Sequence, residues 1–251
     1  MAGFRSVKKY AEAWDAGRSY TSHFRKLFIS TTAGWNDYSM QGGGPPANYY
    51  ASDPLTAATL SGLKGFYVGD AKAPARRFLT HVSLTPSSSN LSGPFILFDY
   101  LLYYPFIDCD DTTTQTFDNT ITLPRYATGD GVMAIPVSLT AHTPPGGVFT
   151  FEYVNQAGVT KTSGANNCSL FGGPITSGTT LLGLTGASPN NGLFCRLAEG
   201  DSGIRQVNSI TFSSGNGGLA ALVLVKPLMT INVREASVET EVEAITHGVP
   251  A

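Results

Sequence analysis

The chain predicts a mainly β fold: an antiparallel β-sandwich preceded by one α-helix and an extended arm. Three observations carry this. From Phe78 onward, short apolar runs are separated by turn signals at intervals of about ten residues. The best helical stripe lies at the start of the chain, ahead of every strand. Only 14% of the 251 residues are charged, and Gly, Ser, Thr, Asn and Pro fill most of the polar remainder. Soluble domains carry roughly a quarter charged residues. Together these define three segments: helix and arm over 1–75, a jelly-roll-like body over 76–233, and an acidic tail over 234–251.

The elements follow in order. Phe4, Val7, Ala11 and Trp14 recur at helical spacing and form one face. Gly17 weakens or ends that helix, and a second short piece is expected over 20–28. Residues 30–75 hold Trp35, Tyr38, Tyr49, Tyr50, Phe66 and Tyr67 around the breaker Gly42–Pro46. Flexible linkers lack aromatics, so this arm is expected to be ordered by packing. In 78–84, Phe78, Thr80, Val82 and Leu84 share a face. Residues 95–107 are apolar on both faces and predict a strand buried on both sides. Strands are expected over 120–123 and 132–139, at edges or irregular because Pro124 and Pro136 touch them. In 148–154, Phe149, Phe151 and Tyr153 face one way, and 155–158 turn the chain back into 159–162. Late strands are expected over 206–212 and 219–225, broken by Pro227 and resumed over 228–233. Val238, Thr240 and Val242 alternate with Glu239, Glu241 and Glu243, which favours an extended strand able to add to another chain's sheet.

The same composition narrows function. A charge-poor chain that does not span a membrane is expected to keep surface against other protein, as an assembly subunit does. The net charge of −2 gives no field for nucleic acid or an anionic membrane. The start is basic (Arg5, Lys8, Lys9, Arg18, Arg25, Lys26) and the end acidic (Glu235, Glu239, Glu241, Glu243). These are two solvated ends, or complementary ends of neighbouring subunits. Cys109, Cys168 and Cys195 are an odd, scattered set, which argues for reduced thiols and synthesis in a cytoplasm. No apolar run approaches the ~20 residues that span a bilayer, and no signal peptide is visible.

Two short motifs invite enzymatic readings. Gly200-Asp201-Ser202-Gly203 resembles the nucleophile segment of chymotrypsin-like serine proteases, with Ser202 the implied nucleophile and Ala141-His142 a faint echo of the histidine segment. The required order His, Asp, Ser is not met, because Asp201 is the only Asp between His142 and Ser202. A turn built of Gly, Asp and Ser explains the same letters. Asp108-Cys109-Asp110-Asp111-Thr112 after an apolar run resembles the first motif of haloacid-dehalogenase-type phosphatases, with Asp108 the implied nucleophile, yet no helix pattern follows it. Asp108, Asp110, Asp111 and Asp118 also supply oxygens of the kind calcium takes, though a solvated acidic loop between strands is the first reading of them. No cofactor is otherwise expected. Tyr100, Tyr103 and Tyr104 suggest a buried strand before a sugar platform or an interface.

Helix, aromatic arm, Ser/Thr/Gly/Asn-rich β body (Phe78–Val233), reduced cysteines and acidic tail together resemble virion structural proteins of tailed bacteriophages, of the capsid-decoration, neck or tail type. The resemblance implies a non-enzymatic homo-oligomeric or lattice-bound subunit in the virion, made in the host cytoplasm. Its partners would be copies of itself and major capsid or tail proteins. The implied interface is Phe4, Val7, Ala11, Trp14, Trp35, Tyr38, Tyr49 and Tyr50. The competing class is a carbohydrate- or receptor-binding β-sandwich module, and the third a hydrolase through Ser202 or Asp108.

Overall fold

The computed structural model describes residues 6–16, 35–37, 52–59, 79, 81–87, 93–142, 147–168, 181–182 and 192–243. The described residues are mainly β, with antiparallel sheets and one short N-terminal helix, α1 (Val7–Asp15). The strands are β1 (His81–Leu84), β2 (Gly93–Asp108), β3 (Gln115–Thr116), β4 (Met133–Ser138) and β5 (Val148–Asn155). They continue as β6 (Thr160–Thr162), β7 (Asn166–Asn167), β8 (Ile204–Phe212), β9 (Leu219–Val233) and β10 (Thr240–Glu243). Among the described residues no helix is long and apolar enough to cross a membrane.

Two compact units form. One comprises Met1–Arg25, Gly65–Leu97 and Leu228–Ala251, the other Lys26–Lys64 and Phe98–Pro227. In the larger unit, strands of the β2-β9-β4 sheet and of the β3-β8-β5-β6 sheet contribute to one core. Leu102, Tyr104, Leu222 and Leu224 meet Phe149, Phe151, Tyr153, Val207, Ile210 and Phe212 there, which is sandwich packing. The alternation expected for β5 holds, with Phe149, Phe151 and Tyr153 buried and Glu152 exposed. Its hairpin forms as the turn chemistry dictates. Asn155 Oδ1 accepts from Ala157 N at 3.0 Å and Val159 N at 2.9 Å, and Glu152 pairs with Thr162.

The three-stranded sheet is buried on both faces. Ala220 to Val225 of β9 are each 0–1% exposed, and Leu101 to Pro105 of β2 are buried in succession. Six successive buried residues leave no solvent face for charge. Pro136 sits in β4, an edge strand of that sheet, where a missing N–H is tolerated.

The smaller unit pairs β1 with β10 in register His81↔Glu243 to Leu84↔Thr240. Val242, Met229, Ile231 and Val233 form its core, with Val82, Leu84, Phe95 and Leu97 packed against them. The acidic strand thus adds to a strand of its own chain.

Two expectations need correction. Residues 120–123 are irregular rather than a strand. Asn119 Nδ2 donates to Val207 O at 2.8 Å just before them, and Arg125 pairs with Asp99 just after, so side chains rather than a ladder fix the segment. Pro227 does not break β9, which runs unbroken from Leu219 to Val233. The last β4 pair is Met133↔Val225, so the proline lies past that ladder and forfeits no bond to it. The helix piece expected over 20–28 lies outside the described residues.

Leu222 is fully buried at the centre of the larger core. Leu222→Ala should destabilise that unit by about 2–5 kcal/mol. Urea denaturation checks this, and a loss below about 1 kcal/mol would contradict the packing described.

Candidate functional site

The helix is built from its cap upward. Ser6 is extended, and its hydroxyl accepts from Lys9 N at 3.2 Å, the N-cap arrangement. Lys9 pairs with Glu12 at 2.8 Å, and both are exposed enough that the pair adds little. The described helix is charge-neutral, with Lys8 and Lys9 against Glu12 and Asp15. Its apolar face is bare: Val7 is 85% exposed, Trp14 52%, and Ala11 is exposed between them. Phe4, the fourth member of the stripe, lies outside the described residues.

The arm behaves differently where it is described. Leu55 N donates to Pro105 O at 2.9 Å, Ala57 N to Asp118 O at 2.8 Å, and Ala58 bridges Tyr103 of β2. Asp37 accepts from the Tyr100 hydroxyl at 2.7 Å, and neighbouring Trp35 is half-buried. These pieces are ordered on their own chain. Tyr38, Tyr49 and Tyr50 lie outside the described residues.

The Gly-Asp-Ser-Gly corner is a joint in the scaffold. Gly200 has a φ of +84°, which glycine adopts without strain. The Asp201 carboxylate accepts from the Tyr153 hydroxyl and from Asn155 Nδ2 at 2.8 Å. Burial and the Asp201 carboxylate push the Tyr153 phenol up. Ser202 Oγ donates to Asp130 at 2.7 Å. The amides of Ser202 and Gly203, which would face an oxyanion in a protease, both donate to Gln156 Oε1 at 3.1 and 3.2 Å. Gly203 also abuts the backbone: a Cβ there would lie 1.9 Å from Gly129 O.

Ser202 and His142 have separate partners. His142 is 2% exposed, and its Nε2–H donates to Leu219 O at 3.2 Å, while Nδ1 has no partner among the described residues. Burial lowers its pKa below the ordinary imidazole value. His81 stands opposite Glu243 in the β1–β10 pair.

The acidic run forms capped turns. Asp108 Oδ1 accepts from Asp110 N at 2.9 Å, and Asp110 Oδ1 from Gly217 N at 2.8 Å. Asp111 Oδ1 accepts from the Thr113 hydroxyl at 2.7 Å and its amide at 2.8 Å, which holds that carboxyl below its ordinary range. Asp118 is placed by backbone bonds to 55–57. The structure does not bring these four together as a ligand set. Among the described residues no group of three or more His, Cys, Asp or Glu side chains converges as a metal would require. All three cysteines are buried and free, and burial pushes the Cys168 thiol up to about 12.

The chain matches no protein-family model, no curated protein and no solved structure.

Gly203→Ala should destabilise the larger unit by about 1–3 kcal/mol, the range for steric overpacking. The added methyl meets backbone rather than a movable side chain. A variant with unchanged thermal unfolding would contradict the close approach of these two backbones.

Proposed function

We propose that this chain is a non-enzymatic structural subunit of a tailed-bacteriophage particle, a capsid-decoration subunit first and a neck or tail component next. It joins its neighbours through α1. The observation that carries the reading is the bare stripe Val7–Ala11–Trp14 on a capped helix. Covering this valine and tryptophan with a neighbour would remove apolar surface from water. Occupation of the Ser202 and Gly203 amides by Gln156 favours this reading over hydrolysis through Ser202. The turn-capping use of Asp108, Asp110 and Asp111 favours it over a phosphatase.

Magnitude then decides the kind of assembly. Burying Val7 and Trp14 removes roughly 200 Å² of apolar surface, about 5 kcal/mol. Association opposes this with about 4–15 kcal/mol. One such contact is therefore weak, and it becomes effective when repeated around a ring or across a lattice.

Trp14→Asp should reduce the mass of the assembled species, measured by light scattering, to that of a single chain. As an exposed change it should leave stability within about 0.5 kcal/mol. A wild-type chain that stays monomeric at high concentration, or a variant that assembles like wild type, would overturn the proposal.

A further inference from the structure

The charges of α1 are ordered along its axis, and that order bears on what covers the bare stripe. Successive helical residues turn by about 100°. Lys8 therefore stands about 100° round from Val7, and Asp15 about 100° round from Trp14, on the same side of the stripe. Both are exposed. Seven residues separate them, about 10.5 Å along the axis. Lys9 and Glu12 stand further round, behind the stripe, and pair with each other at 2.8 Å within the helix. The opposite flank of the stripe carries no charged residue. One flank thus reads positive at its start and negative at its end.

A second copy of α1 can cover the stripe in two orientations. In a parallel pair the two-fold axis runs along the helices, and the charged flank of each copy meets the uncharged flank of the other. In an antiparallel pair the axis runs across the helices, so charged flank meets charged flank in reversed order. Lys8 of each copy then faces Asp15 of the other, which makes two symmetric ion pairs. Ala11 lies near the two-fold axis, where its small side chain lets the helices approach. Trp14 of each copy lies beside Val7 of the other, so both bare residues are covered.

We infer that the partner of α1 is α1 of a second copy of this chain, packed antiparallel with Lys8 of each copy on Asp15 of the other. The inference rests on the assembly reading and names the occupant of its surface. Exposed ion pairs add little affinity each, so these two set the orientation while the stripe supplies the apolar burial. The contact is isologous and closes at two copies. Each α1 contact joins one pair of subunits, and a lattice repeats that pair.

The test measures self-association of the full chain by sedimentation equilibrium. Lys8→Glu and Asp15→Lys should each weaken association at least about fivefold, because each sets like charges against one another twice. An equal mixture of the two variants should associate like wild type, and so should the double variant Lys8→Glu/Asp15→Lys. Both substitutions favour the helix, with acid in its first turn and base in its last, so weakened association would not reflect a lost helix. Single variants that associate like wild type, or a mixture and double variant that stay as weak as the single ones, would overturn the inference. Should Trp14→Asp still dissociate the chain in that event, α1 remains the assembly surface and only its antiparallel self-pairing falls. Should Trp14→Asp or wild type fail as stated for the assembly proposal, both fall together.

Discussion

The rest of the larger unit depends on one constraint: the central strand β9 is buried on both faces from Ala220 to Val225. A strand with no solvent side admits neither charge nor an unpaired backbone group. Its neighbours must be apolar, and they are, in β2 and in β4. Buried polar residues are pushed to loops and to the short strands β3 and β7, where they satisfy buried backbone. Asn216 takes Gly147 N, Asn166 takes Arg196 N, and Gln115 takes both backbone groups of Asp108. Uncharged Asn, Gln and Ser do this without the desolvation cost of a carboxylate or ammonium. The low charge of the chain is therefore in part a property of its interior. The bare stripe of α1 remains the separate argument for a partner.

The same logic gives the residues of the two enzyme-like motifs a place in the scaffold. In each, groups that chemistry would need are already engaged as connectors. Gln156 fills the paired amides at Ser202 and Gly203, and Asp110 fastens the β2 end to Gly217. Gly203 is glycine because Gly129 O leaves no room for a Cβ, which needs no oxyanion. Local letters were right about turns and silent about tertiary partners.

Legibility in the sequence followed period and turn chemistry. The β5–β6 hairpin was readable because Phe149, Phe151 and Tyr153 alternate strictly and Asn155 and Gly158 supply the turn. The α1 face was readable because Val7, Ala11 and Trp14 share a helical side, and so was the buried run 101–105 of β2. Residues 120–123 misled because Thr and Ile carry strand propensity while the segment is fixed by Asn119 and Arg125. Pro227 misled because its effect depends on where the β4 ladder ends, which is a pairing fact.

The central claim is that α1 is an assembly surface on an independently folded β body. Hydrogen–deuterium exchange, compared between dilute chain and assembled material, tests it most directly. Amides of β5 and β8 should be protected alike in both states, because their ladder is intramolecular. Amides of Val7–Asp15 should exchange fast in the dilute chain and slow at least about tenfold on assembly, as a short isolated helix gains packing. Unchanged exchange across α1 on assembly, or protection that appears only in β5 and β8, would contradict the account.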